Sequence, residues 1–210
     1  MTYTAVIASY KYGHLVSHCI ETILAQSKQF DKVYLVDDGA GDCWDMQYMY
    51  PEVECVLRPI NIGTVANFQE MLGRVNTEYC MFIGADNWLR SDALEKLAES
   101  AEQEDADIVT YDIMLTGTEK QTRVPHHIDE MIPVTGDYYW SRKLKHHGSM
   151  LYRTRLAQQV GGYAKYNNAT QTLEDLSLWE KMIRANAKVT HVPQAFLYYR
   201  HHRSNYNKYG

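Results

Sequence analysis

No apolar run in this 210-residue chain approaches the ~20 residues that span a bilayer, and no basic leader precedes an apolar core at its start. The expectation is a soluble chain without a transmembrane segment, resident in the cytoplasm. Cysteine is scarce: Cys19, Cys43, Cys55 and Cys80 stand singly without C-x-x-C spacing, which argues against both a disulfide framework and a zinc ribbon. Buried free thiols are expected. An excess of positive charge is missing too, since the formal net charge is -5, so nucleic acid is not an expected partner. Proline and glycine nowhere cluster into a linker, and there is no internal repeat, so residues 1–210 are read as a single domain. Its halves are 1–114 and 115–210.

What is present is alternation. Residues 3–9 are apolar and β-branched enough for a central strand, and 14–26 carry Leu15, Cys19, Ile23 and Leu24 at helical spacing. Strands follow at 32–36 and 53–57, a short helix at 65–72, a strand at 79–83, a helix at 91–103 capped by Ser91, and a strand at 108–114. This order predicts an α/β fold, a mostly parallel sheet with helices on both faces. Beyond Leu115 the pattern loosens around Gly117, Pro125 and Pro133, and this half is expected to build over the sheet edge. A helix at 172–185 and a strand at 196–200 close the chain.

Three acidic positions stand out. Asp37 and Asp38 end the second strand, and Gly39-Ala40-Gly41 turns the chain after them. That turn lacks the third glycine of a dinucleotide fingerprint and follows the second strand rather than the first, which argues against a nicotinamide-dependent oxidoreductase. Asp86, in Ile83-Gly84-Ala85-Asp86-Asn87-Trp88-Leu89, follows the fourth strand. Two sheet-end carboxylates in one open sheet face the same crevice. Glu174-Asp175 opens the last helix, where Thr172 with Asp175 resembles a capping box; capping and a general-base role both fit. Histidines form three adjacent pairs, 126–127, 146–147 and 201–202, each offering one ligand at most from extended chain.

Together these segments resemble the inverting family 2 glycosyltransferases of the GT-A fold, in the family's order and over nearly the whole chain. Val6-Ile7-Ala8-Ser9-Tyr10 is similar to the opening strand, Ile23-Leu24-Ala25-Gln26 to the end of the first helix, and Val36-Asp37-Asp38-Gly39 to the D-D-G-S turn. Arg58-Pro59-Ile60-Asn61-Ile62-Gly63 resembles the N-x-G segment, and Asn67 falls where an R-N pair is usual. Phe82 to Leu89 resembles the segment carrying D-x-D, Gly148 to Arg153 and Gly161-Gly162-Tyr163 the acceptor side, Leu173-Glu174-Asp175 the E-D motif, and Tyr199-Arg200-His201-His202 the closing Y-R-x-H.

The resemblance implies a nucleotide-sugar donor, most simply a UDP-sugar, and a glycan or glycoprotein acceptor. It implies donor contacts from Ala8, Ser9, Tyr10, Asp38, Asn67, Ala85 and Asp86, with Asp38 bonding the base and Tyr10 lying against it. Asp86 would hold a divalent cation, Mn²⁺ or Mg²⁺, with His202 as a further metal or phosphate contact and Arg200 or Arg203 on phosphate. Asp175 would be the general base, with Glu174 beside it. Two departures stand against the pattern: Gly84 replaces the first Asp of D-x-D, and Ala40 replaces the serine after D-D-G. The loss of a carboxylate motivates a rival, a catalytically inactive module binding sugar nucleotide or glycan. The tyrosine-rich chain also resembles the amino-terminal part of capsid-glycosylating enzymes of large DNA viruses, which implies further domains and a host cytoplasm.

Overall fold

The computed structural model describes residues 1–117, 122–124, 148–163 and 174–202. In chain order the elements are β1 (Tyr3–Ser9), α1 (Gly13–Leu24), β2 (Lys32–Asp37), α2 (Met46–Met49), β3 (Glu54–Leu57), α3 (Thr64–Arg74), β4 (Tyr79–Gly84), β5 (Trp88–Leu89) and α4 (Ala93–Glu104). They continue as β6 (Ile108–Gly117), β7 (Thr122–Val124), β8 (Leu151–Arg153), α5 (Thr154–Gln159), α6 (Glu174–Arg184) and β9 (Val189–His201). One sheet runs in the order β3-β2-β1-β4-β8-β6-β9-β5, with β7 beside β6.

The first four strands are parallel, and the period of two sorts their side chains onto two faces. Ala5, Ile7, Leu35, Met81 and Ile83 face one core, which Val16, Cys19, Ile20 and Ile23 of α1 and Leu94, Leu97 and Ala101 of α4 cover. Val6, Val36, Cys80 and Phe82 face the other, under Met71 and Leu72 of α3 and Leu178, Trp179 and Met182 of α6. Each fully buried aliphatic or aromatic side chain of this kind contributes roughly 1.5–3 kcal/mol. Helices therefore cover both faces, as the alternation predicts. Chain order reverses at β1, which lies between β2 and β4, and such a switch point opens a crevice at the carboxyl ends of its strands.

Three sequence expectations change. The second half does not merely build over an edge: β8 inserts between β4 and β6, antiparallel to both, because Leu151 and Tyr152 are fully buried. The last strand starts at Val189, seven residues before the apolar run that announces it, and it pairs with β6 through register shifts on either side of Asp112. These shifts leave Pro193 and Gln194 outside the ladder, where Pro193 offers its carbonyl to Arg123 and Gln194 accepts from Arg90. Asp112, fully buried, ties the bulge from inside through Arg123 and through His191 at 3.2 Å. Finally, Ser91 does not cap α4. Asp92 is the N-cap residue but its carboxylate accepts from Arg90 and makes no capping bond, and Gln26 Oε1 instead accepts the Leu94 amide at 3.0 Å, locking α4 to the end of α1. Thr172, Tyr138-Tyr139-Trp140 and Arg203 lie outside the described residues.

Candidate active site

The turn after β2 shows why two aspartates precede a glycine. Asp37 Oδ1 accepts the Ala40 amide at 2.8 Å and closes the turn. Asp38 points the other way, accepting the Ile62 and Gly63 amides at 3.1 Å each, with Arg58 Nε 3.6 Å from its carboxylate. Gly39 has φ +82°, and a Cβ there would lie 2.2 Å from Asn61 N, so only glycine lets the 60–61 backbone cross the turn. Asp38 is buried, and each carboxylate oxygen retains acceptor capacity for a ligand donor.

Arg58, which sequence reasoning left without a role, organises this side of the crevice. Its guanidinium donates to Glu70 at 2.8 Å and to Asn67 Oδ1 at 3.3 Å while facing Asp38. Asn67 is thereby buried on α3 with its carbonyl engaged. Nothing in the local pattern near residue 58 announces this, because it requires the loop to fold back between β2 and α3.

At the ends of β1 and β4 the site opens. Ser9 is buried, Tyr10 is 40% exposed beyond it, and Ala85 is wholly buried in the core, leaving its backbone as the part that could meet a ligand. Asp86, 7% exposed, is held from the far end of the chain. His202 Nε2 lies 3.1 Å from Asp86 Oδ2, Arg200 Nε donates to the Asp86 carbonyl at 3.0 Å, and the Arg200 amide donates to Asn87 Oδ1 at 3.0 Å. Trp88 stacks on Tyr198 at 5.3 Å beneath the Arg200 guanidinium, and Tyr12 meets the His202 ring edge-on at 5.5 Å. Burial raises the Asp86 pKa, and the hydrogen bond to His202 and the charges of His202 and Arg200 work against that rise.

A buried carboxylate facing an imidazole suits a divalent cation. The 3.1 Å between the donor atoms is close to the roughly 3 Å edge that ligands 2.0–2.1 Å from an octahedral ion would make. A second group, Asp37, Asp42 and Cys43, has ligand atoms within 4.8 Å of one another. It fits a hard cation less well. Burial pushes the Cys43 thiol up to about 12, so it stays protonated and donates to Ser9 Oγ, while Asp42 accepts the Gly13 amide at 2.9 Å. That trio clasps the 41–43 loop to β1 and α1.

Asp175, the second residue of α6, is half-buried and abuts Gly148, where a Cβ would lie 3.2 Å from Asp175 Oδ2. β8 runs antiparallel to β4, so residues 148–150 lead back toward the end of β4 that bears Asp86. The structure thus brings Ser9, Tyr10, Asp38, Asp86, Asp175 and His202 to one edge of the sheet. The side chain of Glu174 lies outside the described residues. His202 belongs to the one histidine pair within them.

Comparison with known proteins bears on the fold and the family. The chain is 29% identical over 111 residues to Glycosyltransferase GlyG of Streptococcus pneumoniae serotype 4, an alignment covering 50% of this chain and 37% of GlyG. It superposes on S. aureus TarS 1-349 with a TM-score of 0.75 at 16% identity, covering 95% of this chain and 60% of that one. The same TarS segment in complex with UDP-GlcNAc gives 0.76 at 15% identity, covering 98% and 60%. The fold is therefore GT-A, and the chain spans less than two thirds of the length of these relatives. No helix among the described residues is long and apolar enough to cross a membrane. The family model "Glycosyl transferase family 2" matches residues 4–167, more than half of the sequence, and the chain belongs to that family.

Proposed function

We propose that this chain is an inverting glycosyltransferase that moves a sugar from a UDP-sugar to a hydroxyl of a glycan or glycoprotein acceptor. The observation that carries the reading is the meeting of Asp86 and His202 at the mouth of the β1/β4 crevice, with Asp175 on the helix facing the same edge. Support also comes from the UDP and UDP-GlcNAc complexes of TarS, whose fold this chain shares.

Each residue then has a task. Tyr10 offers an exposed ring beside the crevice, on which a nucleobase can stack, and Asp38 accepts from the base. Ala8, Ser9 and Ala85 line the strand ends, and Asn67 contributes through the Arg58 network. Asp86 and His202 would hold Mn²⁺ or Mg²⁺, which when bound would supply Lewis-acid neutralisation of negative charge on the diphosphate. Asp175 takes the proton of the acceptor hydroxyl as its oxygen attacks the anomeric carbon opposite the leaving group, and Glu174 contacts the acceptor. Back-side attack inverts the configuration.

The presence of Gly84 where the family carries a carboxylate favours one other reading, a binding module without turnover. A panel of UDP-sugars with Mn²⁺, assayed for UDP release, separates the two. Release by the wild type that Asp175→Asn abolishes supports the transferase. Binding of donor without release by either protein contradicts it.

A further inference from the structure

We propose that Lys11 is a donor-binding residue: its ammonium rests on the Tyr10 ring in the free protein and moves to the donor's diphosphate when a nucleobase takes that ring. The inference rests on the UDP-sugar reading given above. It adds a residue to which the motif resemblance gives no role.

The backbone singles Lys11 out. Among the described residues three non-glycine positions have positive φ: Lys11 at +65°, Asp105 at +45° and Asn186 at +63°. Asp105 is the C-cap of α4 and Asn186 follows the last turn of α6, places and residue types where a left-handed conformation is routine. Lys11 instead follows β1 at the switch point of the sheet, and it has no short polar group to bond its own backbone. Strain of this kind clusters at ligand clamps and active sites.

In this conformation Lys11 Nζ lies 4.9 Å from the centroid of the Tyr10 ring, a cation–π contact at the mouth of the crevice. Tyr10 is exposed, and a base stacking on the face that the ammonium covers must displace it. The other cations around the crevice are engaged: Arg58 with Glu70, Asn67 and Asp38, Arg200 with the Asp86 carbonyl and the Trp88 ring, and His202 with Asp86. Lys11 makes no ion pair among the described residues. Asp37, Asp38 and Asp86 at the neighbouring strand ends repel a diphosphate, so a flexible ammonium tethered beside the base is suited to attract one. The exchange is coupled within one ligand. Uridine removes the ammonium from the ring and returns nothing, whereas UDP replaces the lost contact with a charged one. Lys11 thereby favours nucleotides over nucleosides.

The test compares affinities for uridine and UDP, by calorimetric titration at saturating Mn²⁺, in wild type, Lys11→Met and Lys11→Gly. Lys11→Met keeps the length of the side chain and removes its charge. It should tighten uridine binding ~2–5-fold, the worth of an exposed cation–π contact, and lower the ratio of UDP to uridine affinity at least ~10-fold. Lys11→Gly should lower that ratio similarly while melting no lower than wild type, because glycine takes the left-handed conformation without strain. A ratio kept within about twofold in Lys11→Met, or uridine bound more weakly by Lys11→Met than by wild type, overturns the proposal while leaving the UDP reading intact. A wild-type protein that binds neither uridine nor UDP overturns both.

Discussion

Asp38 and Asp86 stand at matching places, just past the carboxyl ends of the two strands that flank β1, yet they are held in opposite ways. Asp38 is satisfied by chain 24 and 25 residues away, the amides of the loop that follows the next strand. Asp86 is satisfied by side chains 114 and 116 residues away. The first arrangement needs only the parallel half of the sheet. The second exists only once β9 has threaded past its bulge and closed on the Asp86 turn. On the proposed reading, donor recognition is thus built locally and the cation site depends on the fold as a whole.

Four substitutions sharpen or break this contrast, beginning with a third carboxylate that sets the scale. Asp175→Asn should lower the rate of transfer by ~10²–10⁴-fold, the usual worth of a general base, with Mn²⁺-dependent UDP affinity kept within about threefold. Rates of UDP release and calorimetric titrations check both halves of that statement. Asp86→Ala should weaken Mn²⁺ binding by at least ~100-fold, since it removes a ligand rather than an outer partner, with little loss of Tm. Asp38→Ala should show the reverse profile. It removes the acceptor of the Ile62 and Gly63 amides and one of the two carboxylates that face Arg58, costing about 2 kcal/mol, or roughly 4–8 °C in Tm for a chain of this size, while Mn²⁺ affinity holds.

The smallest effect concerns pH. Burial raises the Asp86 pKa in the folded chain, whereas an unfolded aspartate ionises at about 3.9. Between those two values the native state binds more protons, so its stability falls as pH rises through them. Asp86→Asn removes that dependence. Metal-free Asp86→Asn should match or exceed wild type in urea melts at pH 7, and lose any advantage below about pH 4; a lower stability at pH 7 would contradict the sign.

The same contrast governs what could be read from the residues alone. Strands β1, β2 and β4 and helices α1, α3 and α4 announce themselves because each carries its own periodic apolar face, as with Val16, Cys19, Ile20 and Ile23. The start of β9 does not, since residues 189–195 are mixed and interrupted by Pro193. Nor does β8, three residues whose burial is decided by strands far off in sequence. In the site, Asp37, Asp38 and Gly39 declare a turn by composition, whereas the partnership of Asp86 with His202 came through family resemblance and not through any local pattern. Arg58 was missed for a physical reason: its role is defined by what approaches it in space, a carboxylate and a helix.

The most direct test is calorimetric titration of UDP, with and without Mn²⁺, into wild type, Asp86→Ala and His202→Ala. Mn²⁺ should tighten UDP binding to wild type at least ~10-fold, and either substitution should abolish this gain. A Mn²⁺ enhancement that survives in Asp86→Ala would contradict it.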